Sequence, residues 1–193
     1  RGVLRTLLAW TCQVRMDLVA GYEHALAAVE LLPPGSYWWA KALGICFYSF
    51  FMINRFEHIE RLIHAFMTAA PAADAGVAFL EAGTALCVFF TNVGDRRAAA
   101  ATVAKMRAVA ADLDPQEHGF LLLADSYRCC KLEPDIYQAT RAAHQALELA
   151  ANNGETFLQV SALFYLGTAY TSIGCVDEGE RWLRQGTALA QRV

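Results

Sequence analysis

The chain has 193 residues, of which 56% are hydrophobic and 18% charged, with a formal net charge of −3. That length suits one or two compact domains, and charges scattered without blocks of like sign exclude the basic stripe of a nucleic-acid binder. The longest nearly unbroken apolar run, Ala42 to Ile53, falls short of the roughly 20 residues that cross a bilayer, so neither nucleic acid nor membrane is expected as a partner.

The chain opens on Arg1-Gly2-Val3, without an initiator Met or a charged-then-apolar leader, and reads as a fragment of a longer protein. Leu4 to Leu18 predicts a first helix, Gly21 breaks it, and Tyr22 to Leu32 makes a shorter second one before Leu32-Pro33-Pro34-Gly35-Ser36. Apolar residues then recur at spacings of three and four through Ala42 to Phe51, Val77 to Phe90, Phe120 to Cys130 and Phe157 to Tyr170, which is the helical period. Turn chemistry follows each run, at Asn54-Arg55, Gly94-Asp95, Glu133-Pro134-Asp135 and Gly174 to Asp177. Longer breaks close the units at Pro71-Ala72-Ala73-Asp74, Leu113-Asp114-Pro115 and Asn152-Asn153-Gly154. No segment alternates with period two over strand length, so essentially no sheet is expected.

A repeat of 40 residues underlies these elements. Tyr170 maps onto Cys130, Phe90 and Phe50, while Gly174 maps onto Pro134, Gly94 and Asn54; the first series is apolar and the second turn-forming. In the same register Gly179 maps onto Ala139, Ala99 and Ile59, Leu183 onto Ala143, Val103 and Ile63, and Gly186 onto Ala146, Met106 and Phe66. Ten helices in five pairs follow, covering residues 1–34, 35–72, 73–113, 114–153 and 154–193, the first pair irregular. One pair cannot bury its own apolar faces, whereas stacked pairs can, so a single all-α domain of stacked helix pairs is expected. The small residues Gly167, Gly179 and Gly186 mark close helix approaches, and Gly174 serves a turn.

The last unit resembles a tetratricopeptide repeat. The family pattern W-x2-L-G-x2-Y, then A-x3-F, appears as Leu163-x2-Leu166-Gly167-x2-Tyr170, then Gly179-x3-Leu183, with Gly174 in the turn. The Trp and the Ala are replaced, the closing Pro is absent, and the step of 40 residues exceeds the family's ~34. The resemblance covers residues 36–193 in good register and residues 1–35 loosely. It implies a right-handed α-solenoid of about five antiparallel helix pairs that binds proteins or peptides. It also implies a place in a large bacterial signalling protein, beside an ATPase, kinase or DNA-binding segment.

In such arrays the first helix of each pair lines the concave surface. The register then nominates Lys41, Tyr48, Phe51 and Met52 in the second unit, and Glu81, Val88, Thr91 and Asn92 in the third. The fourth contributes Leu121, Arg128 and Lys131, and the fifth Phe164, Thr168, Thr171 and Ser172. The groove would be aromatic at one end, cationic in the middle and hydroxyl-rich at the other, with Tyr48, Phe51 and Arg128 as anchors. Alternatively, Phe51 and Met52 pack against the next pair, and Arg128 pairs with Asp125 or Glu133.

Catalytic chemistry finds no footing. His58 and His64 lie six residues apart, so their rings diverge by roughly 120° on a helix, and no H-E-x-x-H motif holds a metal. Arg128 beside Cys129-Cys130 raises the idea of a low-pKa thiolate, but adjacent helical residues point different ways. The glycines follow helix-pair spacing rather than a phosphate loop. Six cysteines without C-x-x-C spacing read as reduced thiols of a cytoplasmic protein. The expectation is an interaction scaffold, not an enzyme, with no cofactor. The alternative is a small-molecule or short-peptide sensor, motivated by Trp38, Trp39, Tyr48 and Phe51. A third possibility is a homodimer formed through exposed ends, where Leu183, Leu189 and Val193 lack a following unit.

Overall fold

Aspartates and left-handed turns punctuate the chain at the repeat interval. The computed structural model describes residues 1–192, with the side chain of Phe51 excepted, so Val193 and that side chain lie outside the described residues. Among the described residues there are ten α-helices, one 3₁₀ turn at Pro115–Glu117, and no strand. The helices are α1 (Gly2–Val14), α2 (Leu18–Leu31), α3 (Tyr37–Ile53), α4 (Ile59–Thr68), α5 (Gly76–Asn92), α6 (Arg96–Ala110), α7 (Gly119–Lys131), α8 (Ile136–Asn153), α9 (Thr156–Ser172) and α10 (Val176–Ala190). None is long and apolar enough to cross a membrane.

Asn54, Gly94 and Gly174 take left-handed backbone with φ of 56°, 77° and 82°, which ends one helix and reverses the chain toward its partner. The next residue starts the second helix where its side chain can cap. Asp95 accepts from the Ala98 N–H at 2.9 Å, and Asp135 from the Gln138 N–H at 2.9 Å. Arg55 holds that place in the second pair and cannot cap, and α4 begins only at Ile59 where the register would start it at Phe56. Cys175 holds it in the last pair, and α10 starts without a side-chain cap.

The first pair departs from its expected boundaries. Gly21 does not break a helix: α1 ends at Val14, and Asp17 caps α2 by accepting from the Ala20 N–H at 3.3 Å. Gly21 instead lies buried inside α2, where a Cβ would meet the Ala9 carbonyl oxygen at 3.3 Å. The missing side chain permits the close crossing of α1 and α2.

Each odd-numbered helix packs on its own partner and on the next odd-numbered helix. The main chain of one pair takes hydrogen bonds from the last: Thr6 donates to the Trp38 carbonyl at 3.4 Å, and Thr84 to the Phe120 carbonyl at 2.8 Å. The core sits along this stack and is aromatic at its centre. Trp39 meets Phe79 with centroids 5.9 Å apart, Phe79 stacks on Phe66 at 5.6 Å, and Phe50 meets Phe89 edge-on at 4.8 Å. Full burial of each such side chain contributes up to about 3 kcal/mol.

The last pair crosses at its glycines. A Cβ on Gly179 would lie 2.9 Å from the Gly167 carbonyl oxygen and 2.3 Å from the Thr171 hydroxyl oxygen, so α9 and α10 meet backbone to backbone there.

Candidate functional site

The nominated residues lie on the odd-numbered helices α3, α5, α7 and α9, in states the register does not reveal. Lys41 of α3 and Glu81 of α5 form an ion pair with side chains only 23% and 15% exposed. The Lys41 ammonium also lies 5.5 Å from the centre of the Trp10 ring and 5.9 Å from that of Tyr37, a placement that ring quadrupoles favour. Both charges are therefore satisfied within the chain.

Arg128 takes both pairings open to it: its guanidinium bonds Asp125 at 3.2 Å and also Glu133. Asp125 is shared with Arg107 at 3.0 Å. Of the two cations nominated for the middle, Arg128 is thus neutralised by its partners and Lys131 is exposed. The same network answers the thiolate question. Burial pushes the Cys129 thiol up to about 11; Arg128 opposes this, while Glu133 and Asp125 add to it. Cys129 is a protonated core thiol.

Thr91 leaves the nominated set: it is 4% exposed and lies 4.0 Å from the Cys87 thiol on the side of α5 that meets α7. Thr168, Thr171 and Ser172 hydroxyls donate to the Phe164, Gly167 and Ala169 carbonyls of their own helix, so they offer acceptors rather than free donors. Leu121 is buried and Val88 half-buried, while Phe164 faces a groove between α9 and α10. Tyr48 and Met52 are exposed, and Phe51 lies outside the described side chains. Trp39 is a core residue at 1% exposure, so it does not join Trp38 and Tyr48 in an open aromatic cluster.

Three residues form a patch drawn from three helices. The Tyr127 hydroxyl (α7) donates to the Asn92 side-chain oxygen (α5) at 2.8 Å, and the Tyr127 ring packs 5.2 Å from that of Tyr165 (α9). Burial raises the Tyr165 phenol pKa, and neighbouring Tyr127, Cys87 and Tyr48 (α3) add to that rise. Asn92 is exposed and its amide hydrogens make no bond within the described residues.

Sequence reasoning missed Tyr127, Tyr165, Trp10 and Phe157. The first two lie one residue from nominated Arg128 and Phe164, so a wider helical stripe would have included them. Trp10 meets Phe157 with centroids 5.8 Å apart, in an edge-on contact that joins the first and last pairs; no feature of spacing announces it. Beside it lies a depression of about 200 Å³ walled by Trp10, Trp38, Leu7, Ile45, Thr6 and Lys41.

Among the described residues no three His, Cys, Asp or Glu side chains cluster as metal ligands, and His58 and His64 are both exposed. Cys46, Cys87, Cys129 and Cys130 are buried, Cys12 is half-buried and Cys175 is exposed, all as free thiols. Neither a protein-family model nor a curated protein matches the chain.

Proposed function

We propose that the chain is a non-catalytic interaction module that holds an extended peptide or protein segment across α3, α5, α7 and α9. The observation that carries this reading is the convergence of Asn92, Tyr127 and Tyr165 from α5, α7 and α9, with Tyr48 exposed on α3, which packs on α5. Asn92 offers amide N–H donors to a peptide carbonyl, and the phenol rings offer rigid contact area with polar edges. Together with the repeat register, this supports a tetratricopeptide-like, right-handed α-solenoid of five antiparallel pairs. Such a module suits the regulatory arm of a larger bacterial signalling protein in the cytoplasm.

A selection from a displayed random-peptide library, followed by titration of the recovered peptides, tests the reading. Asn92→Ala removes one hydrogen-bonding group, an effect of about 0.5–1.5 kcal/mol or roughly threefold to tenfold in affinity, and Tyr48→Ala weakens the same peptides. If every recovered peptide binds both variants as tightly as the unaltered chain, the patch is not the binding surface.

The sensor alternative draws less support. The depression beside Trp10 and Trp38 encloses about 200 Å³, below the ~300–1,000 Å³ typical of small-molecule sites.

A further inference from the structure

Building on the peptide-binding reading, we propose that Tyr127 is a positioning residue: its hydroxyl holds the Asn92 carboxamide with both N–H groups outward, so that the surface selects hydrogen-bond acceptors of the bound segment and rejects donors. Asn92 is the last residue of α5, and the chain leaves it through Val93 and the left-handed Gly94. Among the described residues, the only hydrogen bond of its exposed side chain is the one its oxygen takes from the Tyr127 hydroxyl at 2.8 Å. A carboxamide left to turn freely presents its oxygen as readily as its nitrogen, and that single bond removes the choice. A phenol donates more readily than it accepts, because the ring draws on the lone pairs of its oxygen, while an amide oxygen is a strong acceptor. Hydroxyl to oxygen is therefore the favoured pairing, and it sends the nitrogen away from Tyr127.

The hydroxyl is itself held in place. Tyr127 is half-buried on α7, which packs on α5 and α9, and its ring lies 5.2 Å from that of Tyr165. Burial raises its phenol pKa, with the bond to Asn92 opposing the rise, so the proton stays on the oxygen at neutral pH. The repeat does not call for this pair. At steps of 40 residues the place of Asn92 is held by Met52, Leu132 and Ser172, and that of Tyr127 by Phe47, Cys87 and Gly167. None of these combinations sets a hydroxyl against a carboxamide, so the odd-numbered helices stack without such a bond. What the bond determines is the direction of an exposed polar group. Two outward N–H groups and no outward oxygen suit a carbonyl or carboxylate oxygen and offer nothing to an ammonium or amide donor.

In nitrogen-15-labelled intact chain, the Asn92 side-chain N–H signals, identified by their loss in Asn92→Asp, report the orientation without any ligand. They are expected to show restricted motion on the ps–ns timescale in the parent and free averaging in Tyr127→Phe. That variant keeps the ring beside Tyr165, and circular dichroism checks that its helical content matches the parent. Equal mobility in the two proteins overturns the proposal whether or not a peptide binds. With peptides recovered by selection, Tyr127→Phe is expected to weaken binding about twofold to fivefold, since a freely turning amide is competent half of the time or less. It is expected to add nothing once Asn92→Ala is present. Asn92→Asp, whose carboxylate accepts from Tyr127 and has no donor to offer, is expected to lose at least as much affinity as Asn92→Ala. Additive losses in the double variant, or parent affinity in Tyr127→Phe or in Asn92→Asp, overturn the positioning role. An Asn92→Ala chain that binds as tightly as the parent overturns the peptide surface, and the selectivity with it, even where the signals show the amide held.

Discussion

Lys41 and Glu81, which hold the same place in successive helix pairs 40 residues apart, meet as an ion pair between α3 and α5. Both side chains are more than three-quarters shielded, so losing one leaves the other charged and poorly hydrated. Lys41→Met is expected to destabilise the chain by about 1–3 kcal/mol, between the values for exposed and buried pairs. Adding Glu81→Gln restores part of that loss. A double-mutant cycle by chemical denaturation measures the coupling; strictly additive effects would rule out a contribution from the pair.

The crossing of α9 and α10 has no room for a methyl group. Gly179→Ala places a Cβ 2.9 Å from the Gly167 carbonyl oxygen, and the backbone cannot yield as a flexible side chain would. Overpacking of this kind costs about 1–3 kcal/mol, against the roughly 1 kcal/mol that alanine gains from helix propensity. The expected net result is a lower melting temperature than the parent. A variant as stable as the parent would show that the two helices can separate without penalty.

Helix caps offer a change in the opposite direction. Asp95 and Asp135 cap α6 and α8, whereas Cys175 stands at the equivalent place before α10 without a side-chain bond. Cys175→Asp is expected to stabilise the last pair by about 0.5–1 kcal/mol, and Asp95→Ala to cost about 1 kcal/mol. Hydrogen exchange of the first turn of each helix reads both effects locally; unchanged protection in α10 would count against the capping argument.

Alkaline pH should weaken the fold. Burial is the largest cause in each case, and it pushes Cys129 to about 11 and Cys87 and Tyr22 to about 12, with Cys46 raised beyond them. The ordinary values are 9.0 for the thiols and 10.0 for the phenol. Above pH ~9 the folded chain therefore holds protons that the unfolded chain releases, and each such group removes about 1.4 kcal/mol of stability per pH unit until it ionises in the fold. The stabilisation is intact below pH ~9 and lost progressively toward pH ~12. Thermal melts at pH 7.5 and 10.5 check this, with Cys87→Ala expected to flatten the slope; an unaltered midpoint would contradict it.

Much of this architecture is legible from residue spacing, and what is not has physical causes. Asn54, Gly94 and Gly174 reveal their turns because left-handed backbone favours few side chains. Gly21 misleads because a glycine that ends a helix and one that admits a neighbouring helix look alike in one dimension. Thr91 and Phe164 were placed on the inner surface by a register that fixes rotation about the helix axis to within a residue or so, while adjacent residues diverge by about 100°. One step therefore separates an inner position from an interface. The saturation of Lys41 and Glu81 escapes spacing as well, since each finds its partner on another helix, whereas the pairing of Arg128 with Asp125 and Glu133 lies within reach along its own stretch of chain. Least legible is the meeting of Trp10 with Phe157, which depends on small rotations summed over several pairs.

That last contact changes how the chain responds to force. A row of helix pairs joined only to their neighbours is a spring whose two ends move independently, each small rotation adding to its compliance. Trp10 against Phe157 fastens the spring to itself. Drawing the first pair away from the last then has to open an aromatic contact as well as bend the helix pairs between them.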